Sequence, residues 1–424
     1  MLTSADVDTG VPVLLLKMGE YVIHHGAVGI ARSLGRLGIP VYAIVEDRYT
    51  PLAMCRHLAG TFVNPSTDTN GVLSCLTAIA ETIKRPTILL PTDDNAAVFI
   101  AEHSKDLADR FLFPRLRPEL PRQLADKMSL YSLCRQLGIP FPDFVYPTSI
   151  DDVHKFLERV TFPVVVKAAE HSRSVNNRYS SLIARNPDEL IAICGPPESF
   201  RRSKIVLQEY IPGEDWVFHG YRNPETDSLL GFTGRKVRSY PPFAGPTTLG
   251  VSIPNEQLSK QAEVMLREIG YAGVMDLDWR HDERDGRYKL VDFNPRVGAN
   301  FRMFENSEGV DVVRALHLDL TGRPLRQSAM VEGRTFTVEL YDLVASLAYL
   351  RRGGSTSRAW RKSLTGPREL AWWSWDDPLP FFAMGARLLL RVAGRTARRN
   401  GGKVLLHVRR ANRILDFGAR SKKA

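Results

Sequence analysis

Cysteine is scarce in this 424-residue chain: Cys55, Cys75, Cys134 and Cys194 lie far apart, with no CxxC pair among them. That excludes a disulfide framework and a cysteine-built zinc site, and it suits a reducing compartment. Long apolar runs are missing as well; none approaches the roughly 20 residues that a membrane span requires. Asp6 and Asp8 precede the first short apolar stretch, which is not the make-up of a signal peptide, so a cytoplasmic setting is expected. Glycine is lacking where a dinucleotide-binding turn would need it. The first apolar stretch runs into Gly19-Glu20-Tyr21-Val22-Ile23-His24 and not GxGxxG. This disfavours an NAD(P)-dependent oxidoreductase, although Glu46 ends the second strand, where a ribose-binding acid could sit. No Ser, Cys or His triad has a local signature. His24-His25 and His171 lack ligand spacing and read as polar surface or loop residues.

What is present divides by charge. Of 57 Lys/Arg and 47 Asp/Glu, 18 and 4 lie from Arg351 onward, leaving 39 and 43 before it. The chain is a mildly acidic body with a basic tail, long enough for two to three domains. In the tail, Trp372-Trp373-Ser374-Trp375 precedes a stretch with Arg387, Arg391, Arg395 and Arg398 at helical spacing and Phe381, Met384, Leu388 and Val392 on another face. A basic amphipathic helix led by aromatics is compatible with an anionic membrane surface, where each basic residue contributes about 1 kcal/mol. The alternative is a packed helix pair with a solvated basic face. No nucleic-acid module is recognisable, so no nucleic-acid partner is expected.

Periodicity organises the body. Strands are expected over 12–19, 41–45 and 87–90, a helix over 26–37, and a further strand–helix unit over 61–83, which argues for a parallel sheet with covering helices. The Pro- and Arg-rich stretch 113–122 reads as a linker. Beyond it a helix over 125–137 begins with Lys127 in its first turn, and a strand over 161–169 carries Lys167. Helices then interleave with antiparallel strands, an α+β pattern.

The most informative stretch is Gly273–Arg296, GVMDLDWRHDERDGRYKLVDFNPR. Two strands, 273–280 and 288–293, flank a hairpin signal at Asp285-Gly286. Asp276 and Asp278 alternate with apolar residues on the first. The hairpin brings Asp278 toward Asp292 and Asn294, three oxygen donors that suit a hard cation such as Mg²⁺. Arg296 follows at once, placed to meet negative charge. An acid on one strand and Asp-x-Asn-Pro-Arg ending the next resembles the magnesium site of the ATP-grasp superfamily, whose enzymes join a carboxylate to an amine at the expense of ATP.

The resemblance covers about residues 12–325 and implies a Rossmann-like domain over 1–120, an ATP-grasp domain over 121–325 and a basic helical extension over 326–424. It implies that Lys127 and Lys167 approach the nucleotide phosphates. In Gln208-Glu209-Tyr210-Ile211-Pro212-Gly213-Glu214-Asp215 it implies adenine pairing by the backbone of Glu209 and Ile211, and ribose recognition by Asp215, with Glu214 as the alternative. In Arg235-Lys236-Val237-Arg238, Lys236 would meet the γ-phosphate and an arginine, Arg238, the substrate carboxylate; Arg302 could join that anion pocket. One departure stands out: the loop Glu170–Arg178, where the family carries a Gly- or Ser-rich phosphate cover, has no glycine. The amino-terminal pattern looks most like the D-aspartate-ligase-type branch. The expectation is an ATP- and Mg²⁺-dependent ligase, with Mn²⁺ as a substitute ion, acting on small-molecule carboxylate and amine substrates through an acyl phosphate. A non-catalytic nucleotide sensor or membrane-docked scaffold that retains the fold is the alternative. Oligomeric state is not legible.

Overall fold

The computed structural model of the protein describes residues 1–19, 24–63, 68–168, 181–194, 205–242, 245–351 and 368–390. Strands β1 (Val13–Leu16), β2 (Val41–Val45), β3 (Gly60–Val63), β4 (Thr87–Pro91) and β5 (Phe111–Leu112) make a parallel sheet in the order β3-β2-β1-β4-β5. The central strands are continuous apolar runs because both faces are covered. Val13, Leu15, Ile88 and Leu90 pack with helix α1 (His25–Gly35), while Leu14, Leu16 and Leu89 pack with α2 (Thr69–Ile83) and α3 (Asp94–Glu102). The strand order reverses between β1 and β4, and at such a switch the carboxyl ends of the strands open a crevice. Asp93 ties that edge together. One of its oxygens caps α3 through the Ala96 N–H and the other accepts from Met18 and Gly19, just past β1.

A small antiparallel sheet follows, with β6 (Phe144–Val145), β7 (Val164–Ala168), β8 (Ser181–Ala184) and β9 (Ile205–Glu209) in the order β6-β9-β7-β8. Helices Ile150–Leu157 and Pro187–Cys194 back it. The third sheet is β10 (Gly213–Asn223), β11 (Ser228–Ser239), β12 (Thr247–Ser252), β13 (Gly273–Asp282), β14 (Tyr288–Asn294), β15 (Thr335–Thr337) and β16 (Arg368–Leu370), in the order β14-β13-β10-β11-β12-β15-β16. One face, with Trp216, Phe218, Met275, Leu277 and Trp279, packs on helices Lys127–Leu137 and Glu256–Glu268. The other, with Val217, Tyr221, Phe232 and Val274, joins the core under α1. The amino-terminal and large sheets therefore share one hydrophobic core through α1.

Two expectations change. The stretch 113–122 is a shorter linker than its composition suggests. Helix Leu120–Ala125 starts within it and buries Leu120 and Leu124 in the core of the large sheet. The carboxyl-terminal extension is not helical alone. It supplies β15 and, by parallel pairing, the edge strand β16. Helix 379–390 then buries Met384, with Phe381 and Leu388 packed beside it, so the described part of the apolar face faces the protein's own core. The basic repeat over 391–424 lies outside the described residues. Among the described residues no helix is long and apolar enough to cross a membrane.

Candidate active site

Strand period decides which charges meet. In β13, Val274, Asp276, Asp278 and Arg280 share one face, and Met275, Leu277 and Trp279 the other. Asp278 lies directly opposite Asp292 on β14, and Asp276 opposite Asn294. On β10, Val217 and His219 are the partners of Asp278 and Asp276. On β11 the same alternation puts Lys236 on the acidic face and Arg235 on the other, opposite Trp216.

Two lysines hold the two acids. Lys236 Nζ stands 2.7 Å from Asp278, and Lys127 Nζ 2.8 Å from Asp292. Lys127 arrives from the first turn of its helix, whose cap is the Asp126 carboxylate accepting from Ser129. Lys167, on β7 of the small sheet, is buried in the same field. Burial first, and then Lys127, pull its ammonium down to about 7, with Asp292 and Asp278 opposing the shift. Burial pushes the Asp278 carboxyl up, against the pull of Lys236. The cluster is three lysines from three elements around two facing carboxylates.

Asn294 is turned elsewhere. Its amide donates to the Asp276 carbonyl at 3.2 Å, and its oxygen accepts from Arg296 at 2.9 Å. Among the described residues no three His, Cys, Asp or Glu side chains form a preformed ion cage. Two facing carboxylates still match an ion of the Mg²⁺ type, which takes one or two protein carboxylates and completes its shell with water and phosphate oxygens.

Arg296 links the sheets. Its guanidinium lies 3.0 Å from Asp276 on β13 and 3.4 Å from Asp94, at the start of α3 in the amino-terminal domain. Burial opposes ionisation of Asp276, but His219, Arg296 and Lys236 together hold its carboxyl well below the usual range. His219 is fully buried, its Nε2 3.0 Å from Asp276. Asp276, His219 and Asp94 received no role from sequence reasoning. The period-two pairing of Asp276 with Asp278 was the one signal available, since His219 and Asp94 reach the site from distant segments.

The remaining expected residues divide. Gln208 is buried, its side-chain oxygen accepting from the Tyr131 hydroxyl at 3.1 Å. The Glu209 N–H donates to the Asp143 carbonyl at 2.8 Å, and Ile211 is buried beside it. Asp215 pairs with Arg280 at 2.9 Å on the acidic face, whereas Glu214 pairs with Arg235 at 2.6 Å on the other. Arg238 leaves the site. Lys236 pairs with Gly250 and Arg238 with Leu249, so one extra residue bulges from β11 and re-aims the side chain. Its fork then closes on Asp342 at 2.9 and 2.7 Å, both residues buried. Arg302 likewise turns from any anion pocket to the Ala371 carbonyl and Glu369, at 3.3 Å each. His25 is not at the surface. It is buried against Phe336 and Trp372 with Nδ1 3.1 Å from the Ala299 carbonyl, and burial, then Arg302, lowers its pKa to about 3. The glycine-free loop over 170–178, His171 included, lies outside the described residues.

A parallel amino-terminal sheet, a small antiparallel sheet bearing one lysine and a large sheet bearing the facing acids make up the fold that the chain shares with solved ATP-grasp enzymes. The chain is similar to D-aspartate ligase of Enterococcus faecium, 27% identical over 240 residues that span 54% of this chain and 57% of that one. It therefore spans a little over half the length of that relative, and no more than that of the other curated relatives it matches. Among solved structures, N5-carboxyaminoimidazole synthetase from Staphylococcus aureus complexed with ADP superposes with a TM-score of 0.58 at 13% identity, over 77% of this chain and 81% of that one. L-amino acid ligase from Bacillus licheniformis gives 0.55 at 17% identity, over 74% and 75%. No family model matches the chain.

Proposed function

We propose that the protein is an ATP- and Mg²⁺-dependent ligase that activates a carboxylate as an acyl phosphate and joins it to an amine. The observation that carries this reading is the exchangeable pairing of the cluster. Lys236–Asp278 and Lys127–Asp292 are closed ion pairs, with Lys167 beside them. A nucleotide polyphosphate arriving with a divalent cation lets every pair swap partners: lysines turn to phosphate and carboxylates to the ion. No buried charge is stranded by the exchange, which matters because an uncompensated buried charge costs several kcal/mol.

Asp278 and Asp292 would hold Mg²⁺ (or Mn²⁺), which when bound neutralises charge on the phosphate oxygens. The backbone of Glu209 and Ile211 would meet the adenine edge, and Asp215 the ribose. Since the Glu209 N–H is engaged by Asp143, its carbonyl is the group that would face a base. Lys127, Lys167 and Lys236 would neutralise the polyphosphate. The bond from the γ-phosphorus to the bridging oxygen breaks, ADP leaves, and a carboxylate oxygen takes the phosphoryl group. The amine nitrogen then attacks the acyl carbon, loses a proton, and phosphate departs. Arg296, held by Asp276 and Asp94, would meet the negative charge at the acyl group. The protein supplies positioning and charge, which is most of what phosphoryl transfer asks for.

The test is phosphate release from ATP and Mg²⁺ with pools of amino and hydroxy acids, wild type beside Asp292→Asn. Release that depends on an added pool and disappears in the variant supports the ligase. Binding of ATP without stimulation by any pool favours a non-catalytic nucleotide sensor, and absence of ATP binding overturns the reading.

A further inference from the structure

Helix Glu339–Arg351 packs on β11 and β12 with its polar side inward. The buried residues are Asp342, Ala345, Ser346 and Tyr349. Leu343, Val344, Leu347 and Leu350 face solvent, exposed by 58%, 45%, 51% and 39%. A surface helix ordinarily buries its apolar stripe, so this one is inverted. Polar contacts to the sheet hold the inversion. Asp342 takes the Arg238 fork and, at 3.0 Å, the Thr248 hydroxyl, and the Tyr349 hydroxyl lies 3.3 Å from Ser239 Oγ. The second acid of the helix, Glu339, accepts the Trp372 and Trp373 N–H groups at 3.1 and 2.8 Å. Both acids are thus committed to the protein, and the outward face carries leucine, valine and, at its end, the exposed Arg351.

Glu339 also joins this helix to a second apolar surface. Trp373 packs edge-on against Trp375, Phe381 and Phe382. Helix 379–390 buries Met384, but Leu379, Phe382, Leu389 and Leu390 on its other side are exposed, and Trp375 just before it is 89% exposed. No acid occurs between residues 379 and 390. The sequence beyond each helix is basic: residues 352–367 hold four Lys/Arg and no Asp/Glu, and residues 391–424 hold eleven and one.

We propose that the leucine face of helix Glu339–Arg351 and the aromatic–leucine face of residues 375–390 dock on the surface of an anionic lipid bilayer. Contiguous exposed apolar side chains mark an interaction surface, and their surroundings name the partner. A nucleic acid would use the cations and leave the leucines in water. A bilayer surface satisfies both, because anionic head groups meet the basic segments while leucine, phenylalanine and tryptophan enter the boundary beneath them. Stable attachment takes two such signals together, and each apolar face here is followed directly by a basic sequence. Among the described residues no helix is long and apolar enough to cross a membrane, so the protein lies on the surface. The inference is independent of the ligase reading, since these elements carry none of the lysines or facing acids of the candidate site.

The test is flotation of the full-length protein with vesicles of phosphatidylcholine alone and of phosphatidylcholine mixed equally with phosphatidylglycerol, at low and high salt. Three variants accompany the wild type: Leu343→Ser with Leu347→Ser, Leu379→Ser with Phe382→Ser, and Arg395→Gln with Arg398→Gln and Arg399→Gln. Urea midpoints and ATP binding, both expected unchanged, check that each variant is folded. The protein should float with the mixed vesicles and not with phosphatidylcholine alone. Each apolar pair should weaken partitioning by about tenfold or more, and the arginine variant and high salt should weaken it as well. Lipids brominated on their acyl chains should quench tryptophan emission, and less so in Trp375→Phe. Absence of flotation overturns the proposal. So does flotation that responds to salt and to the arginine variant but survives both apolar pairs, which would be adsorption by charge alone. Self-association that the apolar pairs abolish, without vesicle binding, would instead assign the face to a second copy of the chain and overturn it too.

Discussion

Arg32 and Asp377 form an ion pair of 2.9 Å that is 0% and 1% exposed, though 345 residues separate them. The second guanidinium nitrogen of Arg32 donates to the carbonyls of Trp372 and Asp377, and Asp377 also receives the backbone N–H of Arg56 and the thiol of Cys55. Asp376 beside it meets Arg36 and His57. The carboxyl-terminal segment is therefore latched onto α1, the helix that the two large sheets share. Asp377→Ala strands a buried guanidinium, and removing one partner of a buried pair costs about 3–5 kcal/mol. Urea unfolding should show a loss of that size; a loss below about 1 kcal/mol would mean that water replaces the carboxylate and that the latch carries little stability.

Neighbouring cations on β11 should separate cleanly. Lys236 faces Asp278, Arg235 faces Glu214 on the opposite side, and Arg238 is enclosed with Asp342. Lys236→Met should lower ATP turnover by about a hundredfold, the scale seen when one group that stabilises developing charge is removed. Arg235→Ala should stay within about threefold. Arg238→Ala should lose about 3 kcal/mol or more of stability by stranding Asp342. A turnover defect in a stable Arg238→Ala would return that residue to the catalytic group.

Lys167 gives the protein a pH signature. Its folded pKa of about 7 lies below the usual 10.5, so its stability cost is absent above pH 10.5, grows as pH falls toward 7 and is constant below. A bound polyphosphate favours the ammonium and raises that pKa. ATP binding must then draw in a proton, and affinity should fall by up to about tenfold per pH unit above pH 7. Titrations in buffers of different ionisation enthalpy measure the uptake. An affinity flat from pH 7 to 9 sinks the assignment, and Lys167→Met should abolish the slope.

Gly298 shields the Asp276–His219 pair. A Cβ there would lie 2.0 Å from His219 Cε1 and 2.8 Å from the Asp276 carboxyl carbon. Gly298→Ala must push the imidazole off the carboxylate that positions Arg296. We expect about 1–3 kcal/mol of destabilisation, the range for overpacking a tight site, together with lower turnover. A wild-type Tm and rate would show that the loop shifts freely.

Much of this was legible along the chain, where the signal is local. The alternation of Asp276 and Asp278 with Met275, Leu277 and Trp279, followed by the Asp285-Gly286 turn, marks the hairpin and its acidic face, but the direct facing of Asp278 and Asp292 needs the extra residue Val291, since Trp279 pairs with Leu290 and Asp278 with Asp292. The buried runs 13–16, 41–45 and 87–91 likewise define a covered parallel sheet. Arg238 was misplaced because a single bulged residue shifts the side-chain phase, and period-two reasoning cannot register an insertion that only the partner strand reveals. Arg302 and His25 were misread for a related reason: their partners, Glu369, Ala371 and Trp372, lie far downstream in a segment read as a basic tail.

By itself, then, the sequence determined the secondary structure of the core, the hairpin that carries the acids and the candidate lysines, because strand and helix periods are written in neighbouring residues. Tertiary structure alone decided which lysine meets which acid, that Arg296 joins Asp94 to Asp276, and that Arg32 clasps Asp377 while Arg387 walls the amino-terminal crevice. Those relationships are ion pairs between segments as much as 345 residues apart. Their partners are selected by the shared desolvated core that brings the segments together, and no spacing along the chain records it.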